Sequence, residues 1–214
     1  MTTSDTPGLR EQKKRETRVA ISDHATRLFI ERGFEATTIA DIASAARVAK
    51  MTVTNYFPRK EDLAFDHHEA FVAGLATIVT ERAVGESAVA ALRAAFVAGL
   101  EQRDPIIGFS GLEFTRMISE SPTLVARLRD LHEHREDALA ATLAAETGAD
   151  PDDLEPALIA AQIGGVHRVL FRELQRRTLA GEPNDAIASA LTEPARQAFA
   201  LLEQSAGHYA VRTT

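Results

Sequence analysis

Three features of the chain predict an all-α fold. Apolar residues recur at helical spacing, no β-branched alternating run reads as a strand, and Gly and Pro breaks divide the sequence into segments of helical length. About nine such segments follow one another, three up to residue 60 and six after it. At 214 residues the chain has room for one or two domains and for a hydrophobic core that needs no staples.

Residues 1–9, with Pro7 and Gly8 among small polar residues, are expected to be disordered. Helical pattern starts at Arg10, and Ile21, Ala25, Leu28 and Phe29 share one helical face. Gly33 suits a left-handed helix end, with Phe34 placed for the hydrophobic contact that follows it. Thr38-Ile39-Ala40-Asp41 fits a capping box and starts a second helix that runs to Ala46. A turn at Arg47-Val48 leads to a third helix, Ala49 to Tyr56, and Pro58 ends it. The later helices are expected at about 60–83, 87–103, 105–119, 122–147, 153–180 and 184–207. Pro105 and Pro122 sit where proline is tolerated, in a first helical turn.

Charge is divided along the chain. Net charge is −7, yet residues 1–60 hold 11 Lys and Arg against 7 Asp and Glu, and residues 61–214 hold 13 against 24. All four lysines (Lys13, Lys14, Lys50, Lys60) lie in the first 60 residues. A basic segment joined to an acidic one is a signature of a nucleic-acid reader attached to something else. The absence of cysteine excludes a disulfide framework, a cysteine-based zinc site and a cysteine nucleophile. No apolar run approaches the ~18 residues that a bilayer span needs. With a polar N-terminus that lacks the pattern of a signal peptide, a soluble cytoplasmic protein is expected.

Two short helices joined by a tight turn describe a helix-turn-helix. Ile42, Ala43, Val48, Val53 and Phe57 supply the apolar lock between them, and Lys50, Thr52, Thr54, Asn55 and Tyr56 supply polar groups on the second helix for base edges and phosphates. Over residues 18–63 the sequence resembles the N-terminal domain of the TetR family of bacterial transcriptional regulators. The matching pieces are LF-x-x-x-GF at 28–34, TT-x-x-x-IA at 37–43 and YF-x-x-KE-x-L at 56–63. The resemblance implies a DNA-binding domain over 1–60 and a helical ligand-binding and dimerisation domain over 61–214. It implies recognition by Ala49 to Tyr56, with base or phosphate contacts from Lys50, Thr52, Thr54 and Tyr56 and phosphate contacts from Thr38 and Lys60. The fourth helix, from Lys60, is expected to join the two domains and to act as a lever between them. Basic residues 10–18 are expected to form the arm and first turn beside the DNA backbone. The sequence departs from the family pattern at Arg47, where glycine is common, at Ala49, where a serine N-cap is common, and at Met51 and Thr54, which offer other groove contacts.

The family resemblance also implies a homodimer on palindromic double-stranded operator DNA and a small-molecule effector, the usual role being a repressor. The last two helices, about 153–180 and 184–207, are expected to pair the subunits. Leu158, Val166, Leu170, Leu174, Ile187, Leu191, Ala195, Phe199 and Leu202 offer an apolar face there. Candidate effector contacts are Phe71, Phe96, Phe109, Leu112, Met117 and Leu128, with Glu113, His132, Gln162 and His167 as polar groups. Many Ala, Leu and Phe residues point to an apolar or amphipathic effector. No phosphate loop or dinucleotide fingerprint is present, and Gly108-Phe109-Ser110-Gly111 lacks nucleophile-elbow spacing. His67-His68-Glu69 and His132-Glu133-His134 diverge around a helix instead of converging on a metal. No catalytic residue, cofactor, metal or membrane is therefore expected. The alternative is a helical small-molecule-binding or catalytic protein whose N-terminal unit does not read DNA.

Overall fold

The computed structural model describes residues 8–213. Among the described residues are ten α-helices and one 3₁₀ turn, and a lone β-bridge joins Ser87 to Val211. The disorder expected for residues 1–9 lies mostly outside the described residues, and Leu9 already begins α1. No helix among the described residues is long and apolar enough to cross a membrane. The chain divides into two compact units, one ending at Asp66 and including Met117–Val125, the other made of His67–Arg116 and the residues from Ala126 onward. The boundary expected after residue 60 thus falls inside the first unit, short of its helix α4.

The first unit contains α1 (Leu9–Arg32), α2 (Ile39–Ala45), α3 (Lys50–Tyr56) and α4 (Glu61–Ala64). Ile21, Ala25, Phe29, Ile42, Val53, Phe57 and Leu63 are almost completely buried and form its core. Gly33, at φ 85°, ends α1, and its N–H donates to the Phe29 carbonyl. Phe29 and Phe34 then meet with ring centroids 4.9 Å apart. The buried Thr37 hydroxyl donates to the Gly33 carbonyl at 2.9 Å, which fixes the approach to α2. The expected capping box is present: the Asp41 amide donates to Thr38 Oγ1, and the Thr38 amide donates to Asp41 Oδ2.

The second unit contains α5 (His68–Glu81), α6 (Ala88–Gln102), the 3₁₀ turn (Pro105–Ile107), the greater parts of α7 (Leu112–Glu120) and α8 (Pro122–Thr147), and α9 (Glu155–Leu179) and α10 (Asn184–Ala206). Leu92, Phe96, Leu100, Leu139, Leu143, Ile163, Leu174, Leu191 and Phe199 lie in one continuous core, in which α10 packs against α6 and α9. Buried Arg82 holds the chain end. It pairs with Glu146 at 2.5 Å and donates to the Ala210 carbonyl at 2.7 Å.

Two expected helices are each interrupted. The helix read over 60–83 breaks at Phe65, whose backbone leaves the helical region at φ −112°, ψ 54°. Tertiary bonds hold this break: Ser22 Oγ donates to Asp66 Oδ2 at 2.7 Å, and Arg18 donates to the Asp66 carbonyl. No Gly or Pro marks it, so local pattern gave no sign. The helix read over 105–119 is a 3₁₀ turn, then Gly108 (φ 124°) and Gly111 (φ 85°), then α7. Two left-handed glycines three residues from one another cannot continue an α-helix.

Candidate functional site

The turn between α2 and α3 is a Schellman motif. The Val48 amide reaches back to the Ala43 carbonyl at 3.0 Å, and the Arg47 amide to the Ser44 carbonyl at 3.2 Å. Arg47 occupies the left-handed position at φ 56°, where glycine has no steric cost. Val53 and Phe57, both buried, fasten α3 to the core. The opposite face is open: Lys50, Met51, Thr54 and Asn55 are exposed, and Met51 is 70% exposed. Thr52 and Tyr56 are half-buried at its flanks. Thr54 Oγ1 turns back to the Met51 carbonyl at 3.2 Å. Ala49 has extended N-cap geometry (φ −71°, ψ 149°) but makes no side-chain cap. Seven residues thus present short polar groups and one flexible thioether on an exposed helical face.

Thr38 is exposed at the start of α2, and hydrogen bonding by the Thr38 side chain holds the Asp41 carboxyl below the usual carboxylate range. Lys60 has an internal role. Its ammonium donates to the carbonyls of Phe34 (2.7 Å) and Thr37 (2.9 Å) and lies 4.1 Å from the Phe34 ring centroid. Neighbouring Arg59 is exposed. Residues 9–18 are the opening turns of α1. Among them Arg18 is a clamp: it donates to the Tyr56 carbonyl at 3.0 Å and lies 4.5 Å from the Phe57 ring centroid. Glu35, in the loop after α1, accepts from Ser121 Oγ at 2.7 Å, which is the main reason its carboxyl is held low. Ser121 also caps α8, accepting from the Leu124 amide.

Residues 21–66 match the family described as "Bacterial regulatory proteins, tetR family", and residues 86–205, more than half of the chain, match its "MftR C-terminal domain". The HTH-type transcriptional regulator TcmR of Streptomyces glaucescens is 33% identical over 177 residues, 80% of this chain and 78% of TcmR. The chain belongs to the TetR family. It is a DNA-binding transcriptional regulator, and the family consists of regulators rather than enzymes. Its fold is also that of Salmonella enterica GusR (19% identical, TM-score 0.54, covering 94% of this chain and 97% of GusR). NalD of Pseudomonas aeruginosa, described as the secondary repressor of the MexAB-OprM multidrug efflux pump, has the same fold (17% identical, TM-score 0.52, covering 87% and 97%).

The candidate effector residues fall into two groups. In the second unit, Phe71 meets His132 at 5.1 Å and Phe171 at 6.5 Å, and Phe96 meets His167 at 5.4 Å and Phe199 at 5.9 Å, all as tilted or edge-to-face rings. Both histidines are buried, and burial is the main cause that holds His132 down at about 4 and His167 well below the usual histidine value. Phe109 is buried in the same core. Leu112, Glu113 and Gln162 are instead on the surface, and Gln162 accepts from Ser205 at 3.3 Å. Leu128 is half-buried, and Met117 belongs to the first unit. Sequence reasoning missed Arg135, buried on α8. Its signal was its place in the apolar series Leu128, Leu131, Leu139, where a cation breaks the pattern. Mid-helix Gly164 also gains a reason: a Cβ there would overlap the Glu136 carboxyl, so α9 needs glycine where this side chain crosses.

The apolar face expected to pair subunits is mostly interior. Leu170, Leu174, Ile187, Leu191, Ala195, Phe199 and Leu202 are buried in the core, and only Leu158 of that set is well exposed, at 59%. Helical spacing identified an apolar face without telling which neighbour covers it. The outward large apolar residues on the last two helices are Leu158, Val169, Leu179 and Leu201.

Proposed function

We propose that this regulator is a homodimeric repressor that leaves a palindromic operator when a small effector occupies its second unit. The observation that carries the reading is the α2–turn–α3 geometry: two buried anchors, Val53 and Phe57, behind an open polar face. Lys50, Met51, Thr54 and Asn55 meet base edges in the major groove, while Thr38, Thr52, Tyr56 and the cations Arg47 and Arg59 meet phosphates. Lys60 acts on DNA indirectly, by fixing the loop that precedes α2.

Subunits pair through the outer faces of α9 and α10 that carry Leu158, Val169 and Leu201. Two recognition helices then sit one DNA turn apart, ~34–36 Å. The family membership and the description of NalD as a repressor support repression. The helix α8 starts beside Glu35 in the first unit and continues to His132 in the second, so it is the route by which an effector changes DNA affinity. This replaces the lever expected from one unbroken helix at 60–83. Linkage requires the effector to weaken DNA binding by the same factor as DNA weakens effector binding. Selection of bound duplexes from a random library tests the reading. Recovery of a two-fold-symmetric site with half-sites one turn apart supports it; an asymmetric site or no enrichment overturns it.

A further inference from the structure

The second unit buries a charge that no neighbour neutralises. Arg135 is 5% exposed, and its guanidinium lies 4.4 Å from the Phe71 ring centroid. Its Nε finds no hydrogen-bond acceptor. Other cations of this unit are matched with carboxylates, Arg168 with Glu136 and Arg82 with Glu146, but among the described residues no carboxylate pairs with Arg135. Asp104 acts on it only as a Coulombic neighbour, and the Asp104 carboxylate already accepts the Ile106 amide at 2.9 Å. Burial pushes Arg135 down to about 10, so it remains a cation at neutral pH.

The surroundings are aromatic and neutral. The His132 ring stands edge-on to Phe71 and Phe171, and His167 stands edge-on to Phe96 and Phe199. His167 Nε2 is buried without a partner. On α5, Gly74 approaches the guanidinium closely: a Cβ there would stand 3.6 Å from Arg135 Nη2. An isolated buried charge is among the most costly groups in a core, and proteins retain one where a counter-ion arrives from outside. An incoming carboxylate or sulfonate would form the charge-assisted, forked hydrogen bonds that a guanidinium favours, and an aromatic body would suit the surrounding rings.

We propose that the effector is an organic anion with an aromatic or apolar body, and that it binds in the second unit with its anionic group on Arg135 and its body among Phe71, His132 and Phe171. This deepens the effector-responsive reading above and rests on it. It narrows the apolar or amphipathic effector expected from composition to one that carries an acid. His132 and His167, both neutral, offer hydrogen bonds to further oxygen atoms on the same molecule.

Two fluorescent probes that share an aromatic body test the proposal on the full-length dimer. One is 8-anilinonaphthalene-1-sulfonate, and the other is neutral N-phenyl-1-naphthylamine. The wild type should bind the sulfonate saturably, one per chain. Arg135→Met should weaken the sulfonate by about tenfold or more, the scale of one charged hydrogen bond, and leave the neutral probe within about twofold. Arg135→Gln, closer in polarity, should reproduce this, and Arg135→Lys should retain most of the sulfonate affinity. Circular dichroism and binding to the selected operator establish that each variant is folded. Equal losses for both probes, or no saturable sulfonate binding by the wild type, overturn the proposal. A gel shift with added sulfonate is a separate readout: Arg135-dependent probe binding without operator release supports the anion site and contradicts the effector role.

Discussion

Ala49→Ser should stabilise the first unit, and the structure contains its own control. Ala49 has N-cap geometry at φ −71°, ψ 149°, close to that of Thr38 at φ −100°, ψ 159°. Thr38 Oγ1 accepts the Asp41 amide at 3.2 Å, whereas α3 begins with no side-chain acceptor. The Thr52 and Val53 amides reach the Ala49 carbonyl at 2.9 and 3.3 Å, so Lys50 and Met51 have the amides left open. A serine hydroxyl at 49 would accept an amide of this first turn, and such a cap contributes about 0.5–2 kcal/mol. Thr38→Ala should cost a similar amount, and it leaves the Asp41 carboxylate with the residue-38 amide but without the hydroxyl. Urea unfolding followed by far-ultraviolet circular dichroism, without DNA and at fixed dimer concentration, reads both variants. A midpoint that rises for Ala49→Ser and falls for Thr38→Ala, with unchanged slope, is expected. If Ala49→Ser leaves the midpoint unchanged or lowers it, the cap reasoning is wrong.

Arg47→Gly should add about 0.5–1 kcal/mol by the same assay, because the left-handed position costs a non-glycine residue roughly 1–2 kcal/mol and glycine returns part of this as unfolded-state entropy; a loss of stability would refute it. Acidification should destabilise the second unit: the folded protein keeps His132 neutral down to about pH 4, while the unfolded chain protonates near 6.5. His132 therefore contributes about 3 kcal/mol that is complete above pH 6.5 and lost between 6.5 and 4, buried His167 adds a loss of the same sign, and His132→Leu should make the profile shallower there in pH-dependent urea titrations. Lys60→Met should lower stability by about 1–3 kcal/mol through loss of two carbonyl bonds, while Lys50→Ala should weaken operator binding with little change in the urea midpoint. Leu201→Glu should give monomers in sedimentation at micromolar concentration; a dimer of unchanged affinity would remove α10 from the interface.

The helix-turn-helix was legible because its signals are local. Capping residues, a left-handed end at Gly33 and the apolar pair Val53 and Phe57 all act within a few residues of one another. The glycines of Gly108-Phe109-Ser110-Gly111 are equally local, and two of them within four positions argue against a continuous helix over 105–119. The break at Phe65 was not legible, since Ser22 and Arg18, more than forty residues earlier, hold it. Long-range partners also decided the other differences. Lys60 reads as a free surface cation until Phe34 and Thr37 are seen beneath it. Phe199 and Leu202 read as an outward face until α6 covers them. Phe71, Phe96, His132 and His167 could be named from helical spacing, but the rings that enclose them come from five separate helices, an arrangement that tertiary packing alone decides.

The central claim is that the exposed face of α3 reads operator sequence in a dimer. Fluorescence anisotropy of the full-length protein on its selected operator and on a scrambled duplex, between 50 and 200 mM salt, tests it most directly. Operator binding should be about 10³-fold or more tighter than binding to the scrambled duplex at physiological salt, with both affinities falling as salt rises. Met51→Ala or Thr54→Ala should shrink that ratio, with little change in affinity for the scrambled duplex. Equal affinity for the two duplexes, or a ratio insensitive to both substitutions, would contradict it.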